Sequence, residues 1–169
     1  MTSALLDGIM PAITALGNTG IFWILLAAAL LVWKKYRHVG IRMALALIIG
    51  LLVCNGFMKP LFARIRPYDY QLLHHGKTIA LLIRAESDFS FPSGHTIASF
   101  EAATVLTVYS RKWGVPALIL AGLIGFSRLY LYVHYPTDVL CSVVLGTGIG
   151  LLACRIMDNT DHRLHKKHA

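Results

Sequence analysis

The chain has 169 residues, 56% apolar and 14% charged, with a formal charge of +8. A soluble domain of this length has no core large enough to hide that much apolar surface. The apolar residues also gather into runs long enough for a bilayer, which takes ~20 residues at ~1.5 Å rise each. The cations sit at the ends of these runs rather than on a basic face interleaved with aromatics, so nucleic acid is excluded as a partner.

Residues 1–17 carry Asp7, Pro11 and Thr14 and end in Gly17-Asn18-Thr19-Gly20. We expect an interfacial helix there, although the charge-free run from Ile9 to Trp33 leaves a longer span open. With no basic n-region, this start reads as mature sequence rather than a signal peptide. A first span is expected over 18–34 and a second over 42–59. The polar stretch 60–90 reads as a long loop with short helices, a kind of segment that is usually functional or disordered.

The third span, 92–110, carries small residues at Ala98, Ser99, Ala102, Ala103 and Thr104, which suit close packing inside a bundle. A fourth is expected over 115–132 and a fifth over 137–157, where Ser142, Gly146 and Gly150 form a stripe that reads as a packing face. Residues 158–169 read as a disordered cytoplasmic tail with His162, His165 and His168. The three cysteines, Cys54, Cys141 and Cys154, fall inside apolar runs, which argues against a disulfide framework. The expectation is one all-α domain, 1–169: a transmembrane bundle of five to six helices.

Threaded across a membrane, this string places Lys59, the 60–90 loop, Pro92 and the 130–137 turn on one side. The basic clusters fall on the other: Lys34, Lys35, Arg37 and Arg42; Arg111 and Lys112; Arg155, Arg163, Lys166 and Lys167. Positive-inside sorting then puts the first side outside the cytoplasm.

That extracytoplasmic surface collects fixed cations, two imidazoles and a carboxylate. Ionisable groups at membrane depth are costly and default to function. Lys59, Arg66 and Arg128 suit the negative charge of a phosphoryl group, the arginines bidentately. Ser93 and Gly94 sit at a helix start, where free N–H groups and the dipole favour an anion, and Gly94 admits close backbone approach. His134 and Asp138 fit a nucleophile and its orienting carboxylate, and His95 a general acid. Pro136 suits the first turn of the last span.

Lys59-x6-Arg66-Pro67, Pro92-Ser93-Gly94-His95 and Ser127-Arg128-x5-His134-x3-Asp138 together resemble the three signature motifs of the type 2 phosphatidic acid phosphatase superfamily. The resemblance covers about residues 59–138, and the helical layout is similar to small bacterial members. It implies that His134 attacks phosphorus to form a phosphohistidine, with Asp138 orienting it. His95 would protonate the leaving group and then activate water, while Lys59, Arg66, Ser93, Gly94 and Arg128 bind the phosphate. It implies no metal or other cofactor, a lipid phosphate as substrate, and a bacterial inner membrane as the location. Undecaprenyl diphosphate is the expected lipid, with phosphatidylglycerophosphate and phosphatidic acid as alternatives. A transporter without catalysis is the rival of another class, but it leaves the two histidines and the aspartate unexplained, and the chain shows no inverted repeat.

The remaining polar residues have plainer readings. Arg64 reads as a solvated neighbour of Arg66 or a contributor to the local field, and His74 and His75 as an exposed pair. Tyr130, Tyr132 and Tyr135 read as interfacial belt residues. Glu101, deep in the third span, reads as a packing residue between helices rather than a support for His95.

Overall fold

The computed structural model describes residues 3–167, with side chains up to residue 160. Among the described residues there is no strand. The α-helices are α1 (Ala4–Gly17), α2 (Ile21–Val32), α3 (Arg37–Leu51), α4 (Lys59–Phe62), α5 (Pro67–His75), α6 (Gly94–Tyr109), α7 (Arg111–Tyr130) and α8 (Pro136–Lys167). The two shortest, α4 and α5, fall at and within the expected loop, and the others form the bundle.

α1 and α2 meet at a kink where Thr19 has φ 50° and Gly20 φ 67°. Glycine takes this left-handed backbone at little cost, and the kink holds Asn18 at one end of the bundle. α1 packs on α6 and α7 and buries Met10, Thr14 and Gly17.

α3 begins at Arg37, earlier than the expected start at 42, because the turn over Lys34–Tyr36 reverses the chain at once. Gly40 lets α2 and α3 approach closely: a Cβ there would lie 2.7 Å from the Leu31 backbone nitrogen. Beyond Leu51 the helix widens into a π segment, Leu52–Met58, before tightening into α4. Such insertions recur at functional sites; this one delivers Lys59. Ala63, at φ 43°, then stops the helix.

α6 is the central element, packed against α3, α7 and α8. It buries Ile97, Ala102, Ala103, Val105 and Leu106, and with them Thr96, Ser99, Glu101 and Thr104. The small-residue stripe of α8 is its packing partner: a Cβ on Gly146 would meet the Ile97 carbonyl oxygen at 2.7 Å, and one on Gly150 the Glu101 carbonyl oxygen at 2.7 Å. Trp23 ties α2 to this core by donating from Nε1 to Ser99 Oγ at 3.0 Å.

α8 runs on as helix to Lys167, so residues 158–167 are not the irregular tail expected. The side chains of His162 and His165, and all of His168, lie outside the described residues. Among the described residues, four segments are long and apolar enough to cross a membrane: Ala4–Val32, Lys34–His75, Arg111–Tyr130 and Pro136–Thr160. At most 39% of each segment's apolar window is buried, so Leu25, Leu52, Leu140 and Val144 present a greasy outer surface suited to lipid.

Candidate active site

The polar residues of the signature motifs converge at one end of the bundle, where the α1–α2 kink, α4, the start of α6, the end of α7 and the 131–135 turn meet. The basic α2–α3 and α6–α7 connections, with Lys34, Lys35, Arg37 and Arg111, lie at the opposite end.

His134 is 4% exposed, in the turn before α8. Its Nε2 faces Arg66 Nη1 at 3.3 Å, and its Nδ1 lies 3.5 Å from both Asp138 Oδ2 and Ser90 Oγ. At that distance the imidazole–carboxylate contact is loose. Asp138 is held more firmly by others. Ser90 Oγ donates at 2.5 Å, the Tyr135 N–H at 2.9 Å and Arg64 Nη1 at 2.6 Å. Of the two readings of Arg64, a solvated neighbour or a contributor to the local field, the structure supports the second; the tight turn at Ala63 swings it onto Asp138. Burial is the main force on His134 and pushes its pKa down to about 4, with Arg66 adding to the drop and the Asp138 contact opposing it. At neutral pH the ring is uncharged and keeps its lone pair.

The three cations are all buried, Lys59 at 8% exposure, Arg66 at 1% and Arg128 at 0%. Arg66 donates from Nη1 to the Val133 carbonyl at 2.9 Å and from Nε to the Asp88 carbonyl at 2.8 Å. Arg128 donates from Nη1 to Thr14 Oγ1 at 2.7 Å, so α1 helps build the site. His95, on the first turn of α6, places Nε2 2.9 Å from Asn18 Oδ1 and 3.5 Å from Arg128 Nη1. Gly17 makes room for that ring, since a Cβ there would come within 2.8 Å of His95 Cδ2.

Ser93 caps α6, its hydroxyl accepting from Thr96 N–H at 3.4 Å and Thr96 Oγ1 at 3.0 Å. Its own N–H donates to Ser142 Oγ at 2.8 Å and so already has a partner other than an anion. The first-turn N–H groups of Gly94 and His95 remain for an anion. A Cβ on Gly94 would meet nothing closer than Cys54 Sγ at 3.7 Å, so the helix start borders open space. A cavity of about 310 Å³ begins there, among Lys59, His95 and His134, and continues between α2, α3 and α6 to Ile24, Leu47 and Glu101.

Two acidic residues escaped the sequence reading. Glu86 bridges Arg66, at 2.6 Å, and Arg128; Asp88 bridges Arg66, at 2.5 Å, and Lys59. Burial alone would raise both carboxyls, yet these cations hold them below the usual carboxylate range. They sit in an irregular segment with no periodic pattern, and only their nearness in sequence to Pro92 offered a signal. His74 and His75 are exposed, away from the site, as expected.

Buried cations beside a buried histidine and a carboxylate, at one end of an apolar helical bundle, suit a membrane-embedded site that handles a phosphoryl group. The chain belongs to the PAP2 superfamily, which it matches over residues 37–161. It is 32% identical over 154 residues to an undecaprenyl-diphosphatase of Sulfolobus acidocaldarius, covering 90% of this chain and 71% of that one. It is 33% identical over 164 residues to an undecaprenyl-diphosphatase of Bacillus subtilis, covering 92% and 77%. The crystal structure of Aquifex aeolicus LpxE superposes with a TM-score of 0.77 at 28% identity, covering 91% of this chain and 88% of the other. The protein is a multi-pass membrane lipid phosphatase.

Proposed function

We propose that this phosphatase removes the terminal phosphate of undecaprenyl diphosphate by way of a phosphohistidine at His134. The observation that carries the mechanism is the placement of His134 Nε2 against the Arg66 guanidinium, 3.3 Å away, with Asp138 on the ring's other nitrogen. A phosphoryl group seated on Lys59, Arg66, Arg128 and the first N–H groups of α6 lies in front of that nitrogen. Nε2 attacks phosphorus as the bond to the lipid phosphate oxygen breaks, and His95 gives that oxygen its proton. His95 then takes a proton from water, whose oxygen attacks the phosphohistidine and frees inorganic phosphate and His134.

The names of the two relatives support the lipid, and the apolar cavity beneath the cations supports a substrate whose tail stays in the bilayer. The site faces the extracytoplasmic side of a bacterial inner membrane, a reading supported by the basic connections at the other end. Residues 1–169 act as one domain, with 1–17 at the interface and the C-terminal end of α8 in the cytoplasm.

Purified protein in detergent tests both levels. Wild type is expected to release phosphate with EDTA present and to yield an acid-labile phosphohistidine on rapid quench. His134→Ala is expected to lose activity by about 10⁴-fold or more while keeping its helical spectrum. Activity within tenfold of wild type in that variant would remove the mechanism. A kcat/KM for phosphatidylglycerophosphate or phosphatidic acid tenfold above that for undecaprenyl diphosphate, about 1.4 kcal/mol, would overturn the lipid alone.

A further inference from the structure

We propose that Glu86 and Asp88 are the site's own occupants: their carboxylates stand where phosphate oxygens bind, and substrate must exchange with them. The pair thereby selects for headgroups of higher negative charge. This rests on the reading of Lys59, Arg66 and Arg128 as the phosphate cradle.

The four carboxylate oxygens link the three cations in one row. Asp88 joins Lys59 to Arg66, and Glu86 joins Arg66 to Arg128. A phosphoryl group has the same task, since its non-bridging oxygens must bridge cations on several sides. The two partners differ in how they are held. The side chains of Lys59, Arg66 and Arg128 are 10%, 1% and 0% exposed, whereas those of Glu86 and Asp88 are 23% and 48% exposed. The arginines keep other bonds when the carboxylates leave, to the Val133 carbonyl and to Thr14. The carboxylates lie on the outer, removable side.

The exchange needs only side-chain rotation. Tyr68 pins the Glu86 backbone, its hydroxyl donating to the carbonyl at 2.8 Å and accepting from the N–H at 3.2 Å. Arg66 holds the Asp88 carbonyl, and the Ser90 N–H donates to the Arg64 carbonyl at 2.8 Å. With the carboxylates in place, three cations face two anions. A phosphomonoester dianion merely replaces the charge it displaces, whereas a diphosphate headgroup brings more. The carboxylates thus act as specificity-determining residues.

The test compares the full chain in detergent as wild type, Glu86→Gln, Asp88→Asn and the double variant. The inhibition constant of inorganic phosphate and of orthovanadate is measured, together with the phosphate-induced rise in Tm, which needs no turnover. Each amide variant is expected to bind phosphate roughly tenfold tighter, the size of one charge-assisted hydrogen bond no longer competing. The ratio of kcat/KM for a lipid diphosphate over a lipid monophosphate is expected to shrink. Carboxylates that merely hold the cations in position predict the opposite sign, with weaker phosphate binding in every variant. That result, or unchanged binding, overturns the proposal. Failure of the cradle reading looks different: phosphate would not inhibit wild type, and Arg66→Ala and Arg128→Ala would keep full activity.

Discussion

The site end of the bundle and the middle of α6 treat buried carboxyls in opposite ways. At the site end, Asp138 is fully buried and takes hydrogen bonds from Ser90, the Tyr135 N–H and Arg64. Two turns deeper, Glu101 is 1% exposed and its Oε2 has no partner among the described residues. Both groups sit in a bundle whose outer surface is apolar. Depth and burial alone therefore do not set the proposed reactive centre apart; a network of partners that fixes the group does.

The largest effect that sharpens this contrast lies at Asp138. Under the proposed mechanism, replacing it with Asn keeps the shape but removes the charge that would steady a phosphorylated His134. We expect kcat to fall by about 10³–10⁴-fold, the cost of losing an orienting carboxylate behind a histidine. A tenfold loss or less would mean that Ser90 and the backbone hold the ring unaided. Arg64 acts one step further out, so Arg64→Ala is expected to lower kcat about tenfold with KM little changed. Arg64→Lys should recover part of that loss, since it restores the charge but not the planar fork. A pure KM effect would instead return Arg64 to the role of a general surface charge.

The acid limb of kcat/KM gives a smaller but signed check. The pKa of His134 is depressed to about 4, chiefly by burial. A depressed pKa keeps the ring neutral as pH falls from 7, and the proposed nucleophile is lost only near pH 4. An unperturbed histidine would already be half protonated near pH 6.5. An acid limb at that higher value in kcat/KM would show that the ring is far better solvated than its 4% exposure implies.

Much of this site is legible in the chain because its helix-borne parts follow short-range rules. Hydrophobic runs place the spans, a Ser-Gly pair marks the start of α6, and Pro136 marks the start of α8. His134 stands in the turn just before α8 and Asp138 in that helix's first turn, so four residues of chain keep the two close. The rest depends on tertiary closure. Glu86 and Asp88 occupy a segment without periodicity, and nothing local says that it folds back over the cations. Arg64 is redirected by a single left-handed residue, Ala63, whose type gives no hint of φ 43°. Asn18 reaches His95 only because the kink at Thr19 and Gly20 turns it inward. The π segment before Lys59 is likewise invisible in a run of apolar residues.

The smallest effect is expected at Glu101, and it tests the other half of the contrast. The carboxyl packs against Gly50, where an added Cβ would stand 2.0 Å from Oε2. It borders the deep end of the cavity but hydrogen-bonds to none of the catalytic groups. Glu101→Gln exchanges one oxygen for an amide nitrogen of similar size, so turnover and its pH profile should match wild type, with stability changed by no more than about 1 kcal/mol. Gly50→Ala, by contrast, forces the carboxyl to move and should cost about 1–3 kcal/mol through overpacking. If the two residues interact only by contact, Glu101→Ala combined with Gly50→Ala should recover most of that cost, because the added methyl then enters the space the carboxyl vacates. A changed pH profile in Glu101→Gln would mean that the unpartnered carboxyl exchanges protons with the chemistry above it. The contrast between Asp138 and Glu101 would then be one of distance from the proposed reaction centre rather than of function.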